Sequence, residues 1–553
     1  MQLVGDFETT RDIDEFGRIR MRVWLFDLCD IETLQHVTYT NIGDGMRFLD
    51  AVVEPEIYFH NLKFDGSYIT DWLFRNGYTW TDDKPTEAGT FNFLVSDMGQ
   101  WFAATIITKT GNKIRIFDSL KKIPLPVRRI GEAYNLPMSK GEIDYGAPRP
   151  AGYTPTETEL DYVHRDTEIV ARALKIHFEA GLTKMTAPSD ALDGIKRTVK
   201  DAYRKLGIQY MRQHPEVEAF CRQAYFGGIS YVNPDIQDKE VGAGVVYDVN
   251  SLYPFVMREY AYPVYWPVKI EGFMDLDSCL WIAEFDIKAE HIPGALPTLR
   301  VGKRWVDTYY EGSVVLTSID FEMLLENYIV DYEFVQGYKW RHSDNLLFAE
   351  FVNYWGGRKE KDKGGKRQID KLMMNSGYGK FGMNPLRRHK IITFSPISDT
   401  FTMQNSGYEY TDCNNVAIAA FITSYARREL NRGVNASTGF CYCDTDSVHL
   451  ATINGKPPAF GGSVDPVKLG CWKRESEFIR AKYLRQKTYI EEHEDGTLEV
   501  KACGMPDNIK SQITWDNFRI GATFPGKLVP IIRPGGCDLV ERDFTIHETT
   551  FTF

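Results

Sequence analysis

Residues 442–450 read YCDTDSVHL, two carboxylates one residue apart between apolar, strand-like flanks. Asp444 and Asp446 repel each other and lose solvation where partly buried, so positive charge belongs near them. CYC entering and SVHL leaving predict a tight strand–turn–strand. A calcium loop is excluded, because D-x-D runs on into Ser447 and Val448 with no further Asp or Asn followed by Gly. Alone, the pair reads as a solvated turn or, in another class, as the D-x-D that holds a nucleotide sugar. The rest of the chain has to decide.

With 553 residues the chain is too long for one core, and roughly two to four domains are expected. Its 43% apolar and 25% charged residues are those of an ordinary globular protein. No apolar run approaches the ~20 residues of a membrane helix, and VAIAAFI at 416–422 is among the longest. MQLVGDFETT lacks the basic start of a signal peptide. Nine scattered cysteines, with only Cys441 and Cys443 close together, predict reduced thiols in a cytosolic compartment. No membrane partner is expected. The net charge of −11 argues against a nucleic-acid partner, but phosphates respond to local potential. Segment 358–371 holds seven basic residues against three acidic, 473–487 holds six against two, and RRHK at 387–390 adds a third patch.

The first ~180 residues alternate strands and helices. LVGDFETT opens a strand, EIYFHNLKF at 56–64 is a second and KIRIFDS at 113–119 a third. A helix is expected from Thr154, with Thr154 as N-cap, Pro155 at the first position and Glu157 completing a capping box. A domain boundary is expected in TKMTAPSDA at 183–191. Beyond it come a strand ending in VVYDVNSLYP, a β-rich stretch over 260–345 and two helical patterns across 347–382. A hairpin at 389–403, a helix over 416–431 and a tail of short segments broken by Pro and Gly complete the chain.

Three acidic constellations stand out. On a strand Asp6 and Glu8 share a face, Asp65 follows near a turn, and Tyr162 and Asp166 share a helical face at i, i+4. Four carboxylates and a tyrosine suit a two-metal phosphodiesterase, although surface acids at strand ends would look the same. Asp248 ends a hydrophobic strand, five residues before Tyr253. Lys371, Asn375 and Tyr378 are spaced to form one stripe on a helix, a charge for phosphate and a ring for a base. Gly379 then leaves room or ends the helix.

Together these residues resemble one family. DFE, N-x-x-x-D and Y-x-x-x-D match, in order, the three proofreading-exonuclease motifs of family B DNA polymerases. D-x-x-SLYP, K-x-x-x-NS-x-YG and Y-x-DTDS match its polymerase motifs A, B and C, and KTY at 487–489 its K-x-Y motif. HNLKFDG, DSLKK, the MTA–SD junction and AKYLRQKTYI resemble the small protein-primed, phi-29-like phage branch. Gly377 departs from motif B, where a larger apolar residue is usual, at ~1 kcal/mol of helix propensity.

The resemblance implies a multidomain α/β and α+β fold, a ribonuclease-H-like 3'–5' exonuclease followed by a right-hand polymerase with two insertions. The expected division is exonuclease 1–186, palm 187–259, first insertion 260–346, fingers 347–382, second insertion 383–414, palm 415–503 and thumb 504–553. It further implies Mg2+ pairs in both domains, with Mn2+ able to substitute. Asp6, Glu8, Asp65 and Asp166 would hold the exonuclease metals, with Tyr162 orienting water and Lys140 assisting. His60, Asn61, Tyr68, Ser119 and Leu120 would hold the frayed 3' strand or the terminal protein. Asp248, Asp446 and the Val249 carbonyl would hold the polymerase metals, with Asp444 beside them as a supporting acid or secondary ligand. Lys371, Lys359, Asn375, Tyr378 and Gly379 would meet the incoming dNTP, and Tyr253 would exclude a 2'-OH. Lys487 and Tyr489 would touch the primer terminus.

The implied partners are primer–template DNA, dNTPs and a terminal protein primer, for a monomer at work in a bacterial cytoplasm. The first insertion would contact terminal protein and template, and the hairpin would open duplex ahead. The rivals are a D-x-D glycosyltransferase, a nuclease with an inactive polymerase half, and a repair polymerase using ordinary primers. The first leaves the N-terminal acids without a role, and the second conflicts with intact Asp248 and Asp446.

Overall fold

The computed structural model describes residues 1–13, 17–272 and 279–548; residues 273–278 of the expected first insertion and 549–553 of the tail lie outside them. The N-terminal part is an eight-stranded sheet. β1 (Gln2–Ile13), β2 (Ile19–Asp30), β3 (His36–Tyr39), β4 (Glu56–Phe59), β5 (Thr79–Trp80), β6 (Thr90–Val95), β7 (Trp101–Ile107) and β8 (Lys113–Asp118) lie in the order β3-β2-β1-β4-β8-β7-β6-β5. β1 is parallel to β4 and antiparallel to β2. Odd positions of β1, Leu3 and Phe7, join the apolar layer that includes Tyr68, Ile69 and Leu73 of the Leu62–Arg75 helix. Val4 joins the opposite layer with Ile169, Val170 and Leu174 of the Glu157–Glu179 helix. The even-numbered Asp6 and Glu8 therefore face that second helix.

Two local expectations are corrected here. The strand expected over 56–64 ends at Phe59, and Asn61 turns the chain with φ of 78° straight into the Leu62–Arg75 helix. Asparagine tolerates this left-handed conformation, and its backbone N–H is held by Asp118 Oδ1 at 3.0 Å. The later helix starts at Glu157, two residues beyond expectation, on a capping box of Thr156 and Glu159. Both T-x-x-E pairs fit the motif; tertiary partners choose, since Arg149 and Tyr153 each bond Glu159 at 2.9 Å.

The C-terminal two-thirds is built on a five-stranded antiparallel sheet in the order Trp472–Phe478, Gly244–Val249, Ser447–Ala451, Phe440–Asp444, Ser230–Val232. The Val416–Asn435 helix, buried along most of its length, belongs to the core behind it. The described part of 260–345 is β-rich as expected, with a four-stranded antiparallel sheet, the helix Ser318–Asn327 and its own apolar core. The helices Ala349–Lys361 and Gly364–Ser376 pack on one another. Motif B's odd glycine has a packing reason: a Cβ on Gly377 would stand 2.7 Å from Ile195 Cδ1.

The tail is corrected most. Its broken segments form one long ribbon, Thr523–Arg533 with Gly536–Thr545. Pro525 and Gly526 fall where the register shifts, and Pro530 lies in a ribbon that, among the described residues, has two strands and no third to disrupt. The ribbon's tip lands on the N-terminal sheet. Met21 N donates to Pro534 O at 2.8 Å, Gly535 N to Asp71 Oδ1 at 3.1 Å, and the buried Tyr68 hydroxyl to Cys537 O at 2.6 Å. Gly535 (φ 89°) permits the landing, because a Cβ there would lie 1.9 Å from Met21 O. The hairpin Lys390–Ser395/Thr400–Asn405 reaches the same unit, with Asp399 bonded to Arg20 at 2.5 Å and Arg75 at 2.9 Å.

Candidate active sites

A cleft of about 1060 Å³ opens over β1, lined by Asp6, Glu8, Asp65, Lys140, Tyr162 and Asp166, and closed on one side by Leu528 and Asp538 of the ribbon. Burial, then the nearby Asp166, pushes the Asp6 carboxyl up to about 7. Glu8 and Asp65 are raised by burial and then by Asp6. Asp166 is raised by burial, with Lys140, its ion-pair partner, opposing. Oδ1 of Asp65 and Oδ1 of Asp166 are buried with no hydrogen-bond partner among the described residues. Clustered carboxylates with orphan oxygens are a donor set for hard divalent cations. Tyr162 bonds Tyr145 at 2.7 Å, and Lys140 lies 5.2 Å over the Tyr162 ring.

Beside the cleft, His60 bonds Ser119 Oγ at 2.9 Å and Leu125 O at 2.8 Å, and Asp118 Oδ1 also accepts from Leu120 N at 3.0 Å. Asn61 and Leu120 are open to solvent at least in part, and Asn61 and His60 line the cleft. Tyr68 and Ser119, expected to hold the frayed 3' strand or the terminal protein, do not line the cleft. Both are buried, and their hydroxyls are spent on Cys537 O and Phe59 O, so they position the ribbon and His60 instead.

The second cluster lies on the five-stranded sheet. The DTD turn joins Phe440–Asp444 to Ser447–Ala451, with Thr445 at φ of 64°. Asp248 pairs in register with Ser447, and Val249 N donates to Asp446 O at 2.8 Å, so Asp248 and Asp446 stand side by side. Asp446 is pushed up to about 6 by burial, then by Asp248 and Asp444. Burial also raises Asp248, against Lys473, whose Nζ is 3.7 Å away. Lys473 was not singled out from the sequence; it lies in the basic segment 473–487 and opposite Asp248 in register.

Asp444 takes a different part. Lys487 Nζ bonds its two oxygens at 2.7 and 2.6 Å, and Tyr442 OH bonds it at 3.2 Å. Lys487, expected at a primer terminus, is thus engaged by Asp444, and Tyr489 is buried among Tyr442, Tyr483 and His449. On the helical side, the stripe is shorter than expected. Lys371 and Asn375 are exposed on a helix that ends at Ser376, and Tyr378 rides a following 3-10 turn. Tyr378 stacks on Tyr253 at 4.1 Å and 12°. Lys359 is lowered by burial and then by Lys371, Arg367 and Lys473, which marks a concentration of positive charge. A Cβ at Gly379 would meet nothing within 4 Å, so packing does not demand that glycine.

Two carboxylate clusters and a cationic wall can be set against known proteins. The family model for DNA polymerase type B, organellar and viral, matches residues 52–457. The DNA polymerase of Bacillus phage B103 is 36% identical over 98% of both chains, and that of Streptococcus phage Cp-1 is 30% identical over 99% of both.

The chain belongs to the type B DNA polymerases, in their phi29-like phage branch.

The structure of phi29 DNA polymerase complexed with primer-template DNA superposes with a TM-score of 0.88 at 33% identity, covering 99% of each chain. That likeness establishes the expected fold, an exonuclease unit followed by a polymerase unit. This type B polymerase is a template-directed nucleotidyltransferase. Proofreading and protein-primed replication are known for its family, as is dependence on divalent metal ions. Among the described residues of this polymerase no helix is long and apolar enough to cross a membrane.

Proposed function

We propose that this polymerase replicates a phage genome from a terminal protein primer, copying with Mg2+ at one carboxylate cluster and proofreading at the other. The observation that carries the reading is the separation of two carboxylate sets, a largely buried one in the β1 cleft and a half-buried one where Asp248 meets Asp446. Asp248, Asp446 and the Val249 carbonyl would hold one cation pair, and Asp6, Glu8, Asp65 and Asp166 the other. When bound, such cations favour the oxyanion of the attacking hydroxyl and the charge on the leaving oxygen.

The residues do the rest. Lys371 and Lys359 neutralise the triphosphate of the incoming dNTP, and Asn375, Tyr378 and Gly379 shape the floor of its pocket. Tyr253, fixed by Tyr378, closes the space a 2'-OH would need. The primer 3'-OH then attacks the α-phosphate in line and pyrophosphate leaves. In the cleft, Tyr162 and Lys140 orient water toward a frayed 3' end held by His60, Asn61 and Leu120. Lys487 would exchange Asp444 for the primer, with Tyr489 backing it. The hairpin around Asp399 would part the duplex ahead, the 260–346 region would meet the terminal protein, and the enzyme would act as a monomer in the host cytoplasm.

Extension and degradation of a labelled primer–template with Mg2+ tests this. Asp446→Asn should abolish extension and keep 3'–5' degradation, and Asp6→Ala with Glu8→Ala should do the reverse. Normal extension by Asp446→Asn would sink the assignment.

A further inference from the structure

Asp27 pairs in register with Asp6 across β1 and β2, so it points to the same side of the sheet. Its side chain is fully buried. Oδ2 receives Thr167 Oγ1 at 2.6 Å and meets His36 Nδ1 at 2.9 Å; Oδ1 receives Thr38 Oγ1 at 2.8 Å and lies 3.5 Å from His164 Nε2. Those contacts bring two neutral hydroxyls and two imidazoles, and no lysine or arginine is among them. A buried carboxylate ordinarily requires a full positive charge or a metal.

The imidazoles are placed to supply the second. Their rings stack at 4.3 Å, and one ligand atom from each of Asp27, His36 and His164 lies within 4.8 Å of the others. Among the described residues this is the one set of three metal-ligating side chains drawn so close. His36 uses Nδ1 toward Asp27 while its Nε2 faces Glu168 at 3.9 Å, and Arg172 in turn holds Glu168 at 2.7 Å. A carboxylate behind the far nitrogen is the usual outer partner of a metal-bound histidine. His36 and His164 are partly exposed, 16% and 33%, which leaves a path from solvent. Zinc bonds of about 2.0–2.2 Å need ligand atoms closer together than 4.8 Å, an adjustment that turning two partly exposed rings can make.

We propose that Asp27, His36 and His164 form a third metal site, for an imidazole-preferring transition ion such as Zn2+, separate from the oxygen-only clusters. The donor set selects Zn2+, Co2+ or Ni2+ over Mg2+. It joins β2, β3 and the Glu157–Glu179 helix two residues before Asp166, so the ion would clamp the helix that carries one wall of the β1 cleft.

The test uses full-length protein, stripped by chelator and held in excess Mg2+ to fill the oxygen sites. Co2+ is titrated by visible absorption and Zn2+ by competition with a chromogenic chelator. Wild type should take up one equivalent with a tetrahedral Co2+ spectrum. His36→Gln with His164→Gln should lose that spectrum and bind Zn2+ at least ~100-fold more weakly, while extending primers normally. Glu168→Gln should weaken Zn2+ about 10-fold with the spectrum kept. A wild type that binds no equivalent under excess Mg2+ overturns the proposal, whatever the variants do. So does a double variant that keeps the Co2+ spectrum.

Discussion

The backbone amide of Val249 donates to the carbonyl of Asp446 at 2.8 Å, and this bond sets Asp248 beside Asp446. The acidic pair in the DTD turn is consequently not a site by itself. Asp446 faces the neighbouring strand, and Asp444 is turned to Lys487. Asp248→Asn should then match Asp446→Asn in primer extension, a loss of at least ~10³-fold for several kcal/mol of transition-state stabilisation. Asp444→Asn should cost less, at most about 10-fold in single-turnover extension. Equal losses at 444 and 446 would place Asp444 among the ligands.

Lys473 stands 3.7 Å from Asp248 and bonds Glu475 at 2.6 Å. It opposes the burial that raises Asp248. Lys473→Met should raise the divalent-ion concentration needed for half-maximal extension, or the KM for dNTP, by about 3- to 10-fold, with Asp248 less readily ionised. Metal titration of extension at pH 7 checks this; a variant indistinguishable from wild type would leave Lys473 a bystander.

Without divalent ions the two clusters make stability fall as pH rises. Asp6 is raised to about 7 and Asp446 to about 6. A carboxyl whose folded pKa exceeds its unfolded value near 4 binds more protons folded than unfolded, so its contribution is complete below pH ~4 and lost as pH rises through 6 to 7. In chelator, Tm should drop between pH 5 and pH 8; Mg2+ should restore it at pH 8. Asp6→Asn should stabilise the chelated protein at pH 8 and flatten the slope. A chelated Tm independent of pH would contradict the burial of these carboxylates.

What the sequence disclosed and what it hid follow from the range of the interactions. The DTD turn, the Asp6/Glu8 face and the paired helices after 347 depend on neighbours within a few residues, so spacing sufficed. The helix start at Glu157 was misplaced because two equivalent capping boxes overlap, and Arg149 and Tyr153 choose between them. Tyr68 read as a strand-holding residue because nothing local shows that its hydroxyl is bound by Cys537, 469 positions away. Lys487 carried a motif, but its ion pair with Asp444 joins two strand turns 43 residues apart. Asp27, His36 and His164 come from two strands and a helix, and no spacing rule links them.

Tyr253 and Tyr378 stack at 4.1 Å with 12° between planes. If Tyr253 closes the space for a 2'-OH, its selectivity depends on being held there. Tyr253→Val should raise ribonucleotide incorporation by about 10²-fold, the scale of a lost steric contact of 1–3 kcal/mol. Tyr378→Leu should raise it less and weaken dNTP binding as well, since it frees the ring without removing it. Competition between rNTP and dNTP in single-nucleotide extension measures both. Unchanged discrimination in Tyr253→Val would exclude that role.

The ribbon tip and the N-terminal sheet are joined at Gly535, and the join can be broken without touching the Asp248–Asp446 cluster. A Cβ there would sit 1.9 Å from Met21 O, at a φ of 89° that other residues resist. Gly535→Val should therefore detach the tip, while Tyr68→Phe should remove only the bond to Cys537 O, worth about 1 kcal/mol. If the ribbon helps retain DNA, Gly535→Val should shorten products on a primed single-stranded circle several-fold under single-binding conditions. Single-nucleotide addition should stay within about two-fold, because Asp248 and Asp446 belong to a different sheet. Tyr68→Phe should fall between the two. Full-length products from Gly535→Val would show that the contact serves folding alone, and a parallel loss of single-nucleotide addition would show that the ribbon also supports the polymerase sheet.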